Sequence, residues 1–199
     1  MRSRVFSAAA VLVIASFVIL AWASTPNKTV KETLKSSLKF TLTDHEEHII
    51  HNDDLQDKWL MISFGSVKCR EVCLSKLGTI SVILNELGAT ADQIQPIMIT
   101  VDPECDKPSV LRNYLKPFDS RILGLTGTYA QVQSVVSWFR VYDTSLSIDL
   151  EKINDGQMAF FYLLDKRHGY STRFASFLPI AEILRIIRTK LHSSKVSLN

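Results

Sequence analysis

Apolar residues gather into short runs along the chain, and several of these runs have the length of a buried strand. The strongest predict strands at residues 59–64, 94–101 and 158–164. Weaker patterns predict short strands at residues 121–125 and 170–174, and one or two more, forming a hairpin, within 40–50. A polar turn at residues 165–169 lets the strands on either side of it pair as a hairpin.

Between these runs, apolar residues recur at helical spacing. The clearest pattern covers residues 74–87 and ends at Gly88, a residue typical of helix ends. Further helices are predicted at residues 108–115, 128–139 and 179–191, the first and last of which begin with proline. Residues 141–156 show no clear pattern and predict a long loop.

Strands and helices alternate along most of the chain. This order predicts an α/β fold with a mixed, mostly parallel central sheet and helices on both faces. The hairpin predicted near the C-terminus supplies the antiparallel part of the sheet.

The N-terminus has the pattern of a targeting segment. Arg2 and Arg4 precede an uncharged stretch at residues 5–23, close to the roughly 20 residues needed to cross a bilayer. Residues 1–24 are therefore interpreted as a signal anchor or a cleaved signal peptide, and the length of the stretch favours the anchor. Residues 25–39 are interpreted as a polar tether. This pattern predicts an inner-membrane protein whose domain faces the periplasm or an equivalent exported space.

The length and the net charge of the chain limit the classes of function that it can have. The 199 residues suggest one domain with an extension, and 46% hydrophobic residues are ordinary for a globular protein. The formal net charge is only +3, with acidic and basic residues interspersed, which argues against nucleic-acid binding.

Cys69 and Cys73 are the main candidates for chemistry. They lie four residues apart, directly after the first buried strand, where a strand-to-helix turn favours a thiolate. A structural disulfide here would close almost no loop and so stabilise little. An exported domain lies in an oxidising space. The pair therefore indicates either a redox couple or a clamp for a soft metal ion such as Cu(I).

The remaining candidate residues have weaker patterns. His45, His48 and His51 lie in a polar segment that is interpreted as a solvated loop. His168 is predicted to be a surface residue of a turn. Cys105 is predicted to be an exposed thiol without a role, with pairing to an active-site cysteine or to another chain as the alternative.

Several motifs occur together in one order. They are FTLTD at 40–44, WLMISFG at 59–65, the Cys69-x-x-x-Cys73 pair, TVDPE at 100–104 with Asp106 and Pro108, and LTGT at 125–128. In this order the sequence resembles the Sco/SenC family of membrane-anchored, thioredoxin-like proteins, from about Phe40 to Leu191. The resemblance places the domain at residues 40–192, with a tail at 193–199.

The resemblance implies a thioredoxin-like fold and delivery of copper to the binuclear copper centre of cytochrome c oxidase. It implies metal binding by Cys69, Cys73 and a histidine just before the late strand, where this chain has Gln157. Strand alternation predicts that the adjacent Met158 faces away from Gln157. The chain also departs from the family beside the first cysteine and at Cys105, where the family often has a basic residue.

Two function hypotheses follow. In the first, the chain is a copper chaperone that uses Cys69 and Cys73 as thiolate ligands of Cu(I), weakened by the loss of the histidine. In the second, the same residues form the redox pair of a copper-independent thiol–disulfide oxidoreductase. The expected partner is the copper-site subunit of the oxidase or another thiol protein. A redox or copper sensor would use the same two residues.

Overall fold

The computed structural model describes residues 37–69, 71–140, 142–147 and 149–196. The predicted anchor or signal segment at residues 1–24, and most of the predicted tether, lie outside these residues.

One sheet of seven strands organises the described part of the chain, in the spatial order β2-β1-β5-β4-β3-β6-β7. The strands are β1 Thr41–Asp44, β2 Ile49–His51, β3 Trp59–Gly65, β4 Ile94–Thr100, β5 Leu123–Thr126, β6 Phe160–Leu164 and β7 Tyr170–Ala175. Pairing is parallel between β3 and β4 and between β4 and β5, and antiparallel elsewhere. The predicted mixed sheet is confirmed, but its parallel part is limited to three strands, because an antiparallel hairpin lies at each edge.

The helices cover both faces of the sheet, as predicted. They are α1 Glu71–Leu87, α2 Pro108–Leu115, α3 Tyr129–Arg140, α4 Asp155–Met158 and α5 Ile180–Val196. Every residue of β3 is buried, and its side chains alternate between the two faces. Leu60, Ile62 and Phe64 pack with α3 on one face, whereas Trp59 and Met61 pack with α1, α2 and α5 on the other.

Helix α1 packs on the face of the sheet to which Trp59 and Met61 point. It starts at Glu71, three residues before the predicted start, so that Cys73 lies in its first turn. Among the described residues, the stretch Glu71–Gln93 is long and apolar enough to cross a membrane. Length and composition are weak grounds here, because Leu77, Ile80 and Ile83 of this stretch are buried in the domain core.

The folded domain extends slightly beyond the predicted boundaries at both ends. Leu38 is buried in the core, and its backbone N–H donates to the carbonyl oxygen of His168 at 2.9 Å. At the other end, α5 continues to Val196, past the predicted domain limit at residue 192.

Met158 does not begin a strand, so the predicted alternation between Gln157 and Met158 is wrong. Both residues belong to the short helix α4, and β6 begins only at Phe160. A capping box starts this helix: the Asn154 side chain accepts from the Gln157 backbone N–H, and the Gln157 side chain accepts from the Asn154 N–H. These local hydrogen bonds override the apolar pattern that predicted a strand.

His168 is not a surface residue, and that prediction is also wrong. It is only 2% exposed, and its Nε2 lies 3.1 Å from the carbonyl oxygen of Leu55. Its φ of 59° is left-handed, which lets the β6–β7 turn fold back onto the segment that contains Leu55. The polar composition of the turn gave no sign of this tertiary contact.

A buried charge network joins the loop after α3 to the last hairpin. The Tyr162 hydroxyl donates to Asp143 at 2.7 Å, the Ser145 N–H donates to Asp143 at 3.1 Å, and Arg173 forms an ion pair with the same carboxylate. Burial alone would raise the pKa of Asp143, but these donors together hold it below its usual value. The network fixes residues 142–147 against β6 and β7.

We predict that Asp143→Ala lowers the free energy of unfolding by about 3 kcal/mol, because it leaves a buried hydroxyl and a guanidinium without their partner. Urea denaturation measures this change. Glu182→Ala is the control, since this glutamate forms an exposed ion pair with Arg185, and pairs of that kind contribute at most about 1 kcal/mol. Equal losses in the two variants would contradict the prediction.

The same network predicts a pH dependence. Because the pKa of Asp143 is lower in the folded protein than in the unfolded chain, its stabilisation is complete above the unfolded value. It is lost as the pH falls through the folded value. The difference in stability between wild type and Asp143→Ala should therefore shrink in acid.

Candidate functional site

The two predicted site cysteines lie where β3 passes into α1. The Cys69 N–H donates to the carbonyl oxygen of Ser66 at 3.1 Å, which closes a turn between the strand and the helix. Cys69 and Cys73 are joined by a disulfide, with their Cα atoms 5.6 Å apart. Cys69 is 8% exposed and Cys73 only 1%. The structure therefore brings the two cysteines together as a buried pair, of which Cys69 is the more exposed residue.

Gly65 provides the space that Cys73 occupies. A Cβ atom at position 65 would lie 3.0 Å from the Sγ of Cys73 and 3.1 Å from the Cε of Met98. Both contacts are too short for a side chain to fit without moving its neighbours. The glycine that ends β3 thus allows the inner sulfur to pack directly against the strand backbone.

Residues of the 100–108 stretch and of α2 hold the cysteine turn. The Asp106 carboxylate accepts from the Thr100 hydroxyl at 2.6 Å and from the Val67 N–H at 3.1 Å. Burial raises the pKa of Asp106, although both hydrogen bonds act to lower it. The Tyr114 hydroxyl donates to the carbonyl oxygen of Cys69 at 3.3 Å. The DPE-x-D motif therefore supports the site, a role that its sequence did not reveal.

Cys105 is exposed and free, as predicted. The Lys68 ammonium lies 2.8 Å from Asp102 and donates to the Cys105 sulfur at 3.1 Å. The bond to Asp102, followed by the contact with Cys105, raises the pKa of Lys68. Lys68, Cys105 and Met158 line a cavity of about 420 Å³ beside the cysteine turn.

Gln157 is not free to act as a ligand. Its side-chain oxygen accepts from the Asn154 N–H at 3.1 Å, and its side-chain nitrogen donates to the carbonyl oxygen of Ser145. Both polar atoms of the amide are therefore engaged in holding α4 and the preceding loop. In this chain, Gln157 therefore has a structural role.

Lys76 is the residue of this region that the sequence analysis missed. It lies one turn after Cys73 on α1, is 2% exposed, and donates to the carbonyl oxygens of Phe64 and Met158. Burial lowers its pKa to about 7. A lysine beside an apolar helix stripe is ordinarily exposed, so the sequence carried no signal of its burial.

The three histidines of the N-terminal hairpin do not converge. His45 accepts from the Gly124 N–H at 3.1 Å, His48 lies 3.2 Å from Asp44, and His51 lies 2.9 Å from the Thr41 hydroxyl. Within the described residues, no group of three or more histidine, cysteine or acidic side chains is arranged to hold a metal ion.

The chemistry of the site rests on two sulfurs. As a disulfide, the pair can take part in thiol–disulfide exchange. When reduced, it offers two soft donors of the kind that Cu(I) prefers. The donor set fits Cu(I) in number and softness, without an imidazole from position 157.

Comparison with known proteins agrees with this fold. A sequence model of the SCO1/SenC family matches residues 28–192. An SCO2-like protein of Rickettsia prowazekii is 30% identical over 180 residues, covering 84% of this chain and 86% of the relative. The protein sco1 of Schizosaccharomyces pombe is 34% identical over 160 residues, covering 78% and 61%.

Solved structures also resemble most of the chain. The crystal structure of yeast Sco1 superposes with a TM-score of 0.68 at 28% identity, covering 80% of this chain and 97% of that protein. The structure of Bradyrhizobium japonicum ScoI with copper bound gives a TM-score of 0.63 at 29% identity, covering 77% and 98%. These likenesses confirm the thioredoxin-like fold. Because the family match spans most of its length, the chain belongs to the SCO1/SenC family.

Proposed function

We propose that this chain is a copper chaperone that takes part in assembling the copper centre of cytochrome c oxidase. Cu(I) is its cargo, and the reduced sulfurs of Cys69 and Cys73 bind it. The observation that carries the proposal is the bonded cysteine pair at the end of β3, because sulfurs that meet in a disulfide can also reach one ion when reduced. Copper-bound structures of the related yeast and Bradyrhizobium proteins support it.

The burial of the two sulfurs suggests how cargo enters and leaves. Cu(I) binding replaces the protons of two thiols, so two protons are released for each ion bound. Cys69 is the more exposed sulfur, and a thiolate of the partner reaches it first. Cys73, packed against Gly65, is the deeper anchor and releases the ion last. The partner is the copper-site subunit of the oxidase.

The hydrogen bonds that occupy the Gln157 side chain favour a second function. Because its amide is engaged on both sides, position 157 offers no free third ligand. A thiol–disulfide oxidoreductase needs only the cysteines. In that reaction the Cys69 thiolate attacks a partner disulfide and forms a mixed disulfide. The other sulfur of the partner disulfide leaves as a thiolate in this first step. The Cys73 thiolate then attacks the Cys69 sulfur, closes the Cys69–Cys73 disulfide and displaces the second partner sulfur as a thiolate, so that two electrons have passed to the partner.

We also propose that residues 1–24 anchor the domain to the inner membrane, facing the periplasm or an equivalent space. The support is the sequence pattern of Arg2 and Arg4 before an uncharged stretch. An anchor of this kind would confine the domain to the membrane in which its proposed partner lies.

We predict that the reduced full-length protein in detergent keeps one Cu(I) per chain against a competing chelator under anaerobic conditions. Cys69→Ser and Cys73→Ser should each lower the affinity by about 100-fold or more, beyond the 10–100-fold that loss of an outer-shell partner costs. Cys105→Ser is the matched control and should leave it unchanged. A wild type that keeps no copper, yet forms a reversible disulfide, would favour the oxidoreductase instead.

We predict that Gln157→His increases the affinity for Cu(I), because imidazole is an acceptable third ligand beside two thiolates. The change also removes the bonds to Asn154 and Ser145 and should cost about 1 kcal/mol of stability. Gln157→Ala loses the same bonds without gaining an imidazole and serves as the control. Equal Cu(I) affinities of the two variants in the chelator competition would refute the prediction.

A further inference from the structure

Lys76 places its basic amino group in the core without an acidic partner among the described residues. It is almost fully buried, and no salt bridge among the described residues involves it. Within the part of the chain that the structure describes, it donates to the carbonyl oxygens of Phe64 and Met158. Buried lysines are rare unless they are paired. The charge therefore calls for an explanation beyond packing.

The position of the ammonium group is set by the separation of two strands. β3 and β6 pair at Leu60, Met61 and Ile62, and the register ends there. Beyond it, β3 continues to Gly65 and the cysteine turn, while the chain preceding β6 comes from α4. The Lys76 side chain enters this gap and bonds one carbonyl on each side of it, at Phe64 and at Met158.

The same gap borders the inner sulfur. The Cys73 Sγ packs against Gly65, the residue directly after Phe64. Cys73 and Lys76 are also three residues apart on α1, a spacing that puts Cβ atoms about 5–6 Å from each other. Both side chains are shielded from water, so a charge on one acts strongly on a charge on the other.

We propose that Lys76 is a positioning residue whose buried positive charge stabilises the anionic states of the Cys69–Cys73 pair. These states are the thiolates of the reduced pair and their complex with Cu(I). The inference rests on the proposed function of the pair, and it assigns Lys76 the role of the counter-charge.

The net charges of the disulfide, the reduced pair and the copper complex show which of these states Lys76 stabilises. The disulfide is neutral and leaves the ammonium uncompensated. Reduction breaks the S–S bond with two electrons from a dithiol, which becomes a disulfide. When the two protons of that dithiol pass to the solvent, the two cysteine sulfurs carry negative charge as thiolates. Two thiolates with Cu(I) have a net charge of −1, which the ammonium neutralises. Lys76 therefore favours reduction of the disulfide and retention of Cu(I).

Three substitutions separate charge from hydrogen bonding. Lys76→Gln keeps donors for the two carbonyl oxygens but is neutral, Lys76→Arg keeps both donors and charge, and Lys76→Met loses both. Lys166→Met is the control, because Lys166 is an exposed turn residue. The full-length proteins in detergent are equilibrated with a dithiol redox buffer, and their Cu(I) affinity is measured by chelator competition.

We expect Lys76→Gln and Lys76→Met to lower both the equilibrium constant for disulfide reduction and the Cu(I) affinity by about tenfold or more, as loss of an opposite charge nearby does. A tenfold change corresponds to a reduction potential about 30 mV more negative. For Lys76→Arg and Lys166→Met, the equilibrium constant for reduction and the Cu(I) affinity should both stay within about threefold of wild type, because neither change removes the buried charge.

If Lys76→Gln has the wild-type equilibrium constant for disulfide reduction and the wild-type Cu(I) affinity, the inference is overturned, whatever the result for Lys76→Met. Lys76 would then have only a structural role, as a hydrogen-bond donor to the two carbonyl oxygens. If Lys76→Met does not fold, the glutamine and arginine variants still decide, since both retain donors. A wild type that binds no copper contradicts the copper proposal alone, because the potential of the disulfide still reports on Lys76.

Discussion

The architecture of the site depends on the separation of β3 from β6 beyond Ile62. Two strands that part inside a protein leave backbone carbonyl groups without ladder partners, and a buried carbonyl needs a donor. In this protein a single ammonium group, that of Lys76, serves both sides of the gap. Gly65, against which Cys73 packs, lies at the same end of β3. The inner cysteine and the buried lysine thus both contact this end of the strand.

Asp143 and Lys76 are two of the buried charged side chains, and their surroundings differ. Asp143 is compensated by Arg173 and by neutral donors, and its network ties a loop to the last hairpin. Within the described residues Lys76 bonds carbonyl oxygens only, and burial lowers its pKa. A fully paired charge is explained by the structure that it holds together. A charge that lacks an ionic partner in the oxidised protein is explained by a partner that appears when the neighbouring disulfide opens.

The sequence predicted best where one pattern dominates. Helix Pro108–Leu115 begins and ends as predicted, and β3 and β4 differ by one residue at their ends, because their apolar runs are long and bounded by turn residues. The cysteine pair was predictable because both residues lie in one turn. Met158, His168 and Lys76 could not be predicted in the same way. A local capping box fixes the first, and carbonyl groups distant in sequence, such as Leu55 and Met158, fix the other two.

The roles of Gln157 and Lys76 are best understood together. In the pattern implied by the family resemblance, a neutral imidazole would complete the coordination of copper. Here the amide of Gln157 is used to hold α4 to the preceding loop, so that position no longer offers a ligand. A site of two thiolates and one Cu(I) keeps a negative charge, and that charge is costly to bury unless it is compensated. In the proposed copper complex, Lys76 would compensate this charge from the core side, at a site without an imidazole ligand.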